Sequence, residues 1–118
     1  MSDEMKLVGF DSTGEPTGAA SFSSAAPGEI LDLGCAVKAD GSPIVAITSA
    51  VDENSATLEV IGFTGMVPAW AEAIEVPAFV EKAGPEILLD EESARAWVFV
   101  GGTLDSVDPF VFAAALEI

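Results

Sequence analysis

The chain has 118 residues, half of them apolar, with twenty Asp and Glu against four Lys and Arg, a formal charge of −16, one cysteine and no histidine or tyrosine. An acidic field of that size repels nucleic-acid phosphates and anionic lipid, so neither a nucleic acid nor a membrane is an expected partner. The missing residue types exclude Ser–His–Asp triads, histidine metal sites, tyrosine acids, an intrachain disulfide, zinc fingers and iron–sulfur centres.

The length fits one domain. A mean hydropathy of +0.47 is high for a soluble chain, which points either to a rich core or to apolar surface that faces a partner. Met1-Ser2-Asp3-Glu4 carries no basic, apolar leader, so no secretion signal is read and synthesis in the cytoplasm is expected. The uncharged run from Val60 to Ala71 is too short to span a bilayer.

Lys6 to Asp11 reads as a short strand. Residues 12–28, rich in Ser, Thr, Gly, Pro and Ala, show no regular period and read as an arm or long loop. Residues 1–28 are thus expected to form an N-terminal segment and arm, and 29–118 a single β-rich domain. Glu29–Lys38 places Leu31, Leu33, Cys35 and Val37 on one face of a strand. Ala39-Asp40-Gly41-Ser42 is a turn signal. Pro43–Val51 and Thr57–Thr64 are strands around the Asp52–Ser55 turn, which makes an antiparallel meander.

Pro68 to Glu75 suggests a helical turn or two. Pro77–Ala83, with Gly84 and Pro85 behind it, has the punctuation of a short helix. Glu86–Asp90 is a brief strand and Asp90–Ser93 a polar turn. In Ala94–Val100, Trp97 and Phe99 share one face with Arg95, while Ala96, Val98 and Val100 share the other. Pro109–Ile118 is likewise apolar on two sides. Such strands are covered twice, by their own core and by another layer or chain. The fold class expected is mainly β with one or two short helices, a compact antiparallel sandwich or barrel-like domain with an extended N-terminal arm.

Carboxylates are the only plentiful polar chemistry. Asp52-Glu53-Asn54, Asp90-Glu91-Glu92 and the Asp105/Asp108 pair lie in expected turns, but none follows the twelve-residue calcium loop. Solvated turns account for them, and no cofactor, metal or catalytic residue is assigned. Cys35, in an apolar setting without a histidine to activate it, reads as a buried structural thiol. Trp97 reads as core. Trp70, near Met66, Val67 and Pro68, suits the core and an interface equally.

Three features lie in sequence between 44 and 106: the strand–Asp52-Glu53-Asn54-Ser55-Ala56-Thr57-Leu58–strand unit closing at a glycine, the proline-marked middle, and Arg95-Ala96-Trp97-Val98-Phe99-Val100-Gly101-Gly102-Thr103. In this order the chain resembles the small head-decoration proteins of tailed bacteriophages, the lambda-type trimeric cement proteins. Those also carry a Ser/Thr/Ala/Gly/Pro-rich arm before a compact β-rich body. The resemblance implies a non-enzymatic virion protein, a homo-oligomer and specifically a trimer, that binds the major capsid protein of an assembled shell and stiffens it. Phe22, Trp70, Phe110 and Phe112 are the candidate contacts. Two other readings fit the same residues: an acidic β-sandwich binding module using loop carboxylates for calcium, and a carboxylate-dependent hydrolase.

Overall fold

The computed structural model describes residues 4–24, 29–50, 55–77, 81–103 and 109–118. Nine strands follow in chain order: β1 (Glu4–Phe10), β2 (Pro16–Ser23), β3 (Glu29–Val37), β4 (Pro43–Ala50), β5 (Ser55–Thr64), β6 (Val67–Pro77), β7 (Glu81–Asp90), β8 (Arg95–Thr103) and β9 (Pro109–Glu117). They form three antiparallel sheets: β1-β2, β3-β4-β5-β6 and β7-β8-β9. The all-β sandwich matches the expected class, but no helix exists among the described residues.

The four-stranded sheet is the middle layer. Its inner strands β4 and β5 are rich in β-branched residues and buried almost throughout, the pattern of a strand covered on both faces. On one face, Ile44, Ala46, Leu58, Val60 and Val76 meet Ala96, Val98, Val100 and Leu116 from the β7-β8-β9 sheet. On the other, Val45, Ile47, Ile61 and Phe63 lie under Met5, Leu7 and Phe22 of the β1-β2 hairpin. The hairpin is therefore a third layer that completes a second apolar core.

That hairpin corrects the expected arm. Residues 16–23 pair in register with β1, from Glu4 opposite Ser23 to Phe10 opposite Pro16; residues 25–28 lie outside the described part. Period 2 is present, with Gly18, Ala20 and Phe22 less exposed than Ala19, Ser21 and Ser23, but small side chains blur it. The connecting turn is held by Asp11, whose Oδ1 accepts from the Thr13 hydroxyl at 2.6 Å, the Thr13 amide at 2.8 Å and the Glu15 amide at 3.1 Å. These bonds pull the Asp11 carboxyl below its ordinary range, the Thr13 hydroxyl most strongly.

The two expected helices are also corrected. Pro68–Glu75 lies inside β6, whose backbone pairs with β5 from Ser55–Pro77 to Thr64–Val67. Its Ala and Glu content favours a helix only weakly, and a buried neighbouring strand overrides that preference. Of Pro77–Ala83, Pro77 ends β6 and residues 81–83 open β7, while 78–80 lie outside the described part. Gly84 and Pro85, expected as a helix stop, instead sit in an irregularity of the β7–β8 ladder between Ala83 and Glu86.

The meander is as expected. The β3–β4 turn uses Gly41 at φ 89°, a conformation other residues avoid, and Asp40 Oδ1 accepts from the Ser42 amide at 2.8 Å. The Ser42 hydroxyl accepts in turn from the Gly65 amide at 3.0 Å, tying this turn to the one between β5 and β6. Gly62 on β5 is required for a different reason: the Trp70 indole occupies the space a Cβ would need.

Candidate functional site

The two packed sheets each have an outer face. That of the middle sheet is largely roofed by the hairpin, whereas no described element packs over that of β7-β8-β9. Strand alternation and register set what this face presents. Opposite Ala96, Val98 and Val100, which are buried, β8 turns Arg95, Trp97, Phe99 and Gly101 outward. Pairing then builds four rows across the sheet. Leu88, Trp97 and Ala115 form one; Glu86, Phe99 and Ala113 form the next. Gly101 sits beside Val111 at one end, and Asp90, Arg95 and Glu117 line up at the other.

The middle of this face is apolar and open. Leu88 is 61% exposed and Val111 68%, Ala113 and Ala115 are exposed, and Trp97 and Phe99 are half-buried by their lateral neighbours. Next to Phe99 is a hollow of about 220 Å³ lined by Gly84, Glu86, Phe99, Gly101 and Val111. It exists because two of its walls are glycines. Around the aromatic centre stand three carboxylates, Glu86, Asp90 and Glu117, against one guanidinium, Arg95. The face can therefore bury aromatic surface, accept a projecting side chain and attract positive charge at its margin.

A second concave region runs along the far side of the hairpin. Ser21, Phe22, Ser23, Glu59, Ile61 and the Pro68–Ala71 segment line a cleft of about 400 Å³. Its one lining carboxylate, Glu59, is 3% exposed and accepts a hydrogen bond from the Ser24 hydroxyl at 2.7 Å. Acid–base hydrolysis by a carboxylate pair needs a second carboxyl across the cleft, and none is among the lining residues. A smaller groove of about 190 Å³ lies between β1 and β3, lined by Met5, Lys6, Leu7, Phe22, Leu33, Gly34, Cys35 and Val45.

The expected contact residues fall in different places. Phe22 is not on a free arm: it packs edge-on against Phe63, ring centroids 5.3 Å apart at 82°. Trp70 is half-buried against the sandwich core. Phe112 also packs against that core. Phe110 pairs through its backbone with Gly102, and its side chain lies outside the described part. Phe22, Trp70 and Phe112, the three with described side chains, all lie off the open aromatic face.

Two other expectations change. Trp97 is not core; sharing a face with Arg95 was the sequence signal for an outward position. Cys35 is exposed rather than buried, on the wall of the groove between β1 and β3. Its apolar surroundings still push the thiol above its ordinary range by desolvation, which makes it a poor nucleophile.

Asp40, Asp90 and Glu91 in the turns each hold a backbone amide. Asp90 Oδ1 accepts from the Ser93 amide at 3.3 Å. Both Glu91 oxygens accept from the Ala39 amide, at 3.0 and 3.2 Å, which ties the β7–β8 turn to the β3–β4 turn. Asp40 is held below its ordinary range, chiefly by the Ser42 amide. Among the described residues no three His, Cys, Asp or Glu side chains converge as a metal site. Asp52, Glu53, Asn54, Asp105 and Asp108 lie outside the described part. Comparison with family models, with curated proteins and with solved structures returns no match.

Proposed function

We propose that this protein is a non-enzymatic attachment subunit, and specifically a decoration protein that binds and stiffens an assembled capsid shell. The observation that carries the proposal is the open outer face of β7-β8-β9, with Trp97, Phe99, Leu88 and Val111 on it. Exposed apolar patches of this kind, ringed by polar groups, are typical of protein–protein contact sites. The fold supports the reading further. It spends a whole hairpin covering the outer face of one sheet and leaves the other uncovered. The composition agrees, since histidine and tyrosine are absent and there is a single cysteine.

In this reading the copies gather on the shell, and the symmetry of the shell sets their number. The test is attachment. Shells assembled from the major capsid protein of the same source are mixed with the purified chain and pelleted. The expected result is saturable co-pelleting and a shell that resists heat or low salt better than the bare one. A chain that stays in the supernatant at micromolar concentration, as a clean monomer, overturns the proposal.

A further inference from the structure

We infer that the outer face of β7-β8-β9 docks a separate protein whose contact surface is apolar at its centre, with one projecting side chain, and cationic at its rim. The inference rests on the reading of the chain as an attachment subunit and names the chemistry of the partner.

Size comes first. With strands about 4.8 Å apart and a rise of about 3.3 Å per residue, three strands of nine or ten residues offer a face of about 14 by 30 Å, or about 400 Å². A stable contact buries about 800 Å² on each partner. The whole face, its acidic margin included, therefore supplies about half of what a lasting contact needs, so a partner must fill the face to its margin and continue beyond it. That margin holds Glu86 beside Phe99, and Asp90 and Glu117 on either side of Arg95. A partner reaching them gains most by presenting lysines or arginines there.

The same facts argue against a second copy of this chain. Two such faces together bury about 800 Å² in all, the size of a lattice contact rather than of a lasting dimer. They would also set one acidic margin on another, on chains that each carry −16. The hollow over Gly101 and Gly84 adds the shape element. A side chain entering it would be enclosed by Phe99 and Val111 and shielded from water by the surrounding contacts, as interface anchors are.

The experiment uses the full chain and three synthetic amphipathic helical peptides of equal length: Lys/Leu, Glu/Leu and Lys/Ser. Affinities are measured by titration calorimetry, with thermal melts to confirm folding. Both residues of the double variant Leu88→Ser/Val111→Ser are exposed, so it is expected to melt as the parent does. The Lys/Leu peptide is expected to bind at low salt. The Lys/Ser and Glu/Leu peptides are each expected to bind at least tenfold more weakly. The double variant and the triple variant Glu86→Gln/Asp90→Asn/Glu117→Gln should each lose at least tenfold toward Lys/Leu. Raising the salt to about 0.5 M, where charges are screened within a few ångströms, should weaken the parent complex severalfold.

Unchanged binding in the double variant overturns the inference, because the attraction is then charge alone. Equal binding of Glu/Leu overturns the cationic rim. A concentration-dependent dimer that the double variant abolishes assigns the face to a second copy instead. The proposed function fails separately. Shells that bind the double variant as tightly as the parent would retain the function and sink this face. Peptide binding without shell binding would do the reverse.

Discussion

Deleting the Phe63 side chain tests whether the N-terminal hairpin is a true structural layer. Phe63 is 1% exposed and sits under the hairpin with Phe22 edge-on against it. Removing a buried phenyl ring costs about 3–5 kcal/mol, the upper end where the surroundings cannot collapse. β5 is held by neighbouring strands on both sides and cannot move in, whereas the two-stranded hairpin can settle, so about 3–4 kcal/mol is expected for Phe63→Ala. Phe22 is half-buried, and Phe22→Ala should cost about 2 kcal/mol at the usual transfer value for an aromatic side chain. The two losses overlap in the edge-to-face contact, which is worth about 0.5–1.5 kcal/mol. The double variant should therefore be more stable than the sum of the singles by about 1 kcal/mol. Urea unfolding followed by circular dichroism at neutral pH provides the four stabilities. The chain is expected to hold about 5–15 kcal/mol in all, so each variant should still fold. A cost below about 0.5 kcal/mol for Phe22→Ala, with no coupling to Phe63, would refute the docked hairpin and restore a loose arm.

Thr48 is fully buried on the sandwich side of β4, and its hydroxyl has no hydrogen-bond partner among the described residues. An unsatisfied buried hydroxyl costs about 1–3 kcal/mol, so Thr48→Val, nearly equal in shape, should stabilise the fold by about 1 kcal/mol; a lower urea midpoint would contradict it. The Asp11 turn predicts a pH signature. Its carboxyl is depressed in the folded chain, so its contribution is present above the ordinary aspartate value of 3.8 and is lost as pH falls through the lower folded value. Thr13→Val removes the strongest of the bonds responsible. The stability gap between parent and variant should be widest at neutral pH and narrow as the pH drops below 3.8, and a gap that stays constant down to pH 2 would exclude the carboxylate as its source.

What was legible in the sequence was what side-chain size makes visible. Val60 and Phe63, or Ile44 and Ile47, are β-branched or aromatic, and their runs read as the strands of a meander. The hairpin was not legible, because β2 carries small residues on both faces, with alanine on each, and its period is carried by Phe22 alone. The helix expected around Pro68–Glu75 failed for the converse reason. Alanine and glutamate are good helix formers when nothing else decides, but β6 has β5 beside it, and ten paired positions outweigh a local preference. The open face of β7-β8-β9 was half legible. The two-sided apolar character of β8 and β9 was plain, yet the assignment of Trp97 to the core followed its size rather than its partner in alternation, Arg95. Which strand would lie beside β8 is a matter of topology, so the flanking Glu86, Asp90 and Glu117 could not be placed from sequence.

The edges of the sheets separate the guarded margins from the one that borders the open face. β6 closes one side of the middle sheet, and natural edge strands are commonly blunted by prolines and by charges turned toward the core face. β6 has both: Pro68 and Pro77 near its ends, and Glu72, opposite Val60, on the sandwich-facing side. β9 closes the outer sheet and is built differently. Between Pro109 and Glu117 it carries no charge at all, from Phe110 to Leu116. A fold that guards one edge in this way and leaves another plain is under different pressure at the two. The plain edge belongs to the strand that contributes Val111, Ala113 and Ala115 to the aromatic face. A protein seated on that face would cover β9 at the same time, and with the edge covered in the assembled state no charge is needed to protect it. Across the face, Glu86 and Asp90 on β7 and Glu117 at the end of β9 would oppose self-association of the free chain without blocking a cationic partner.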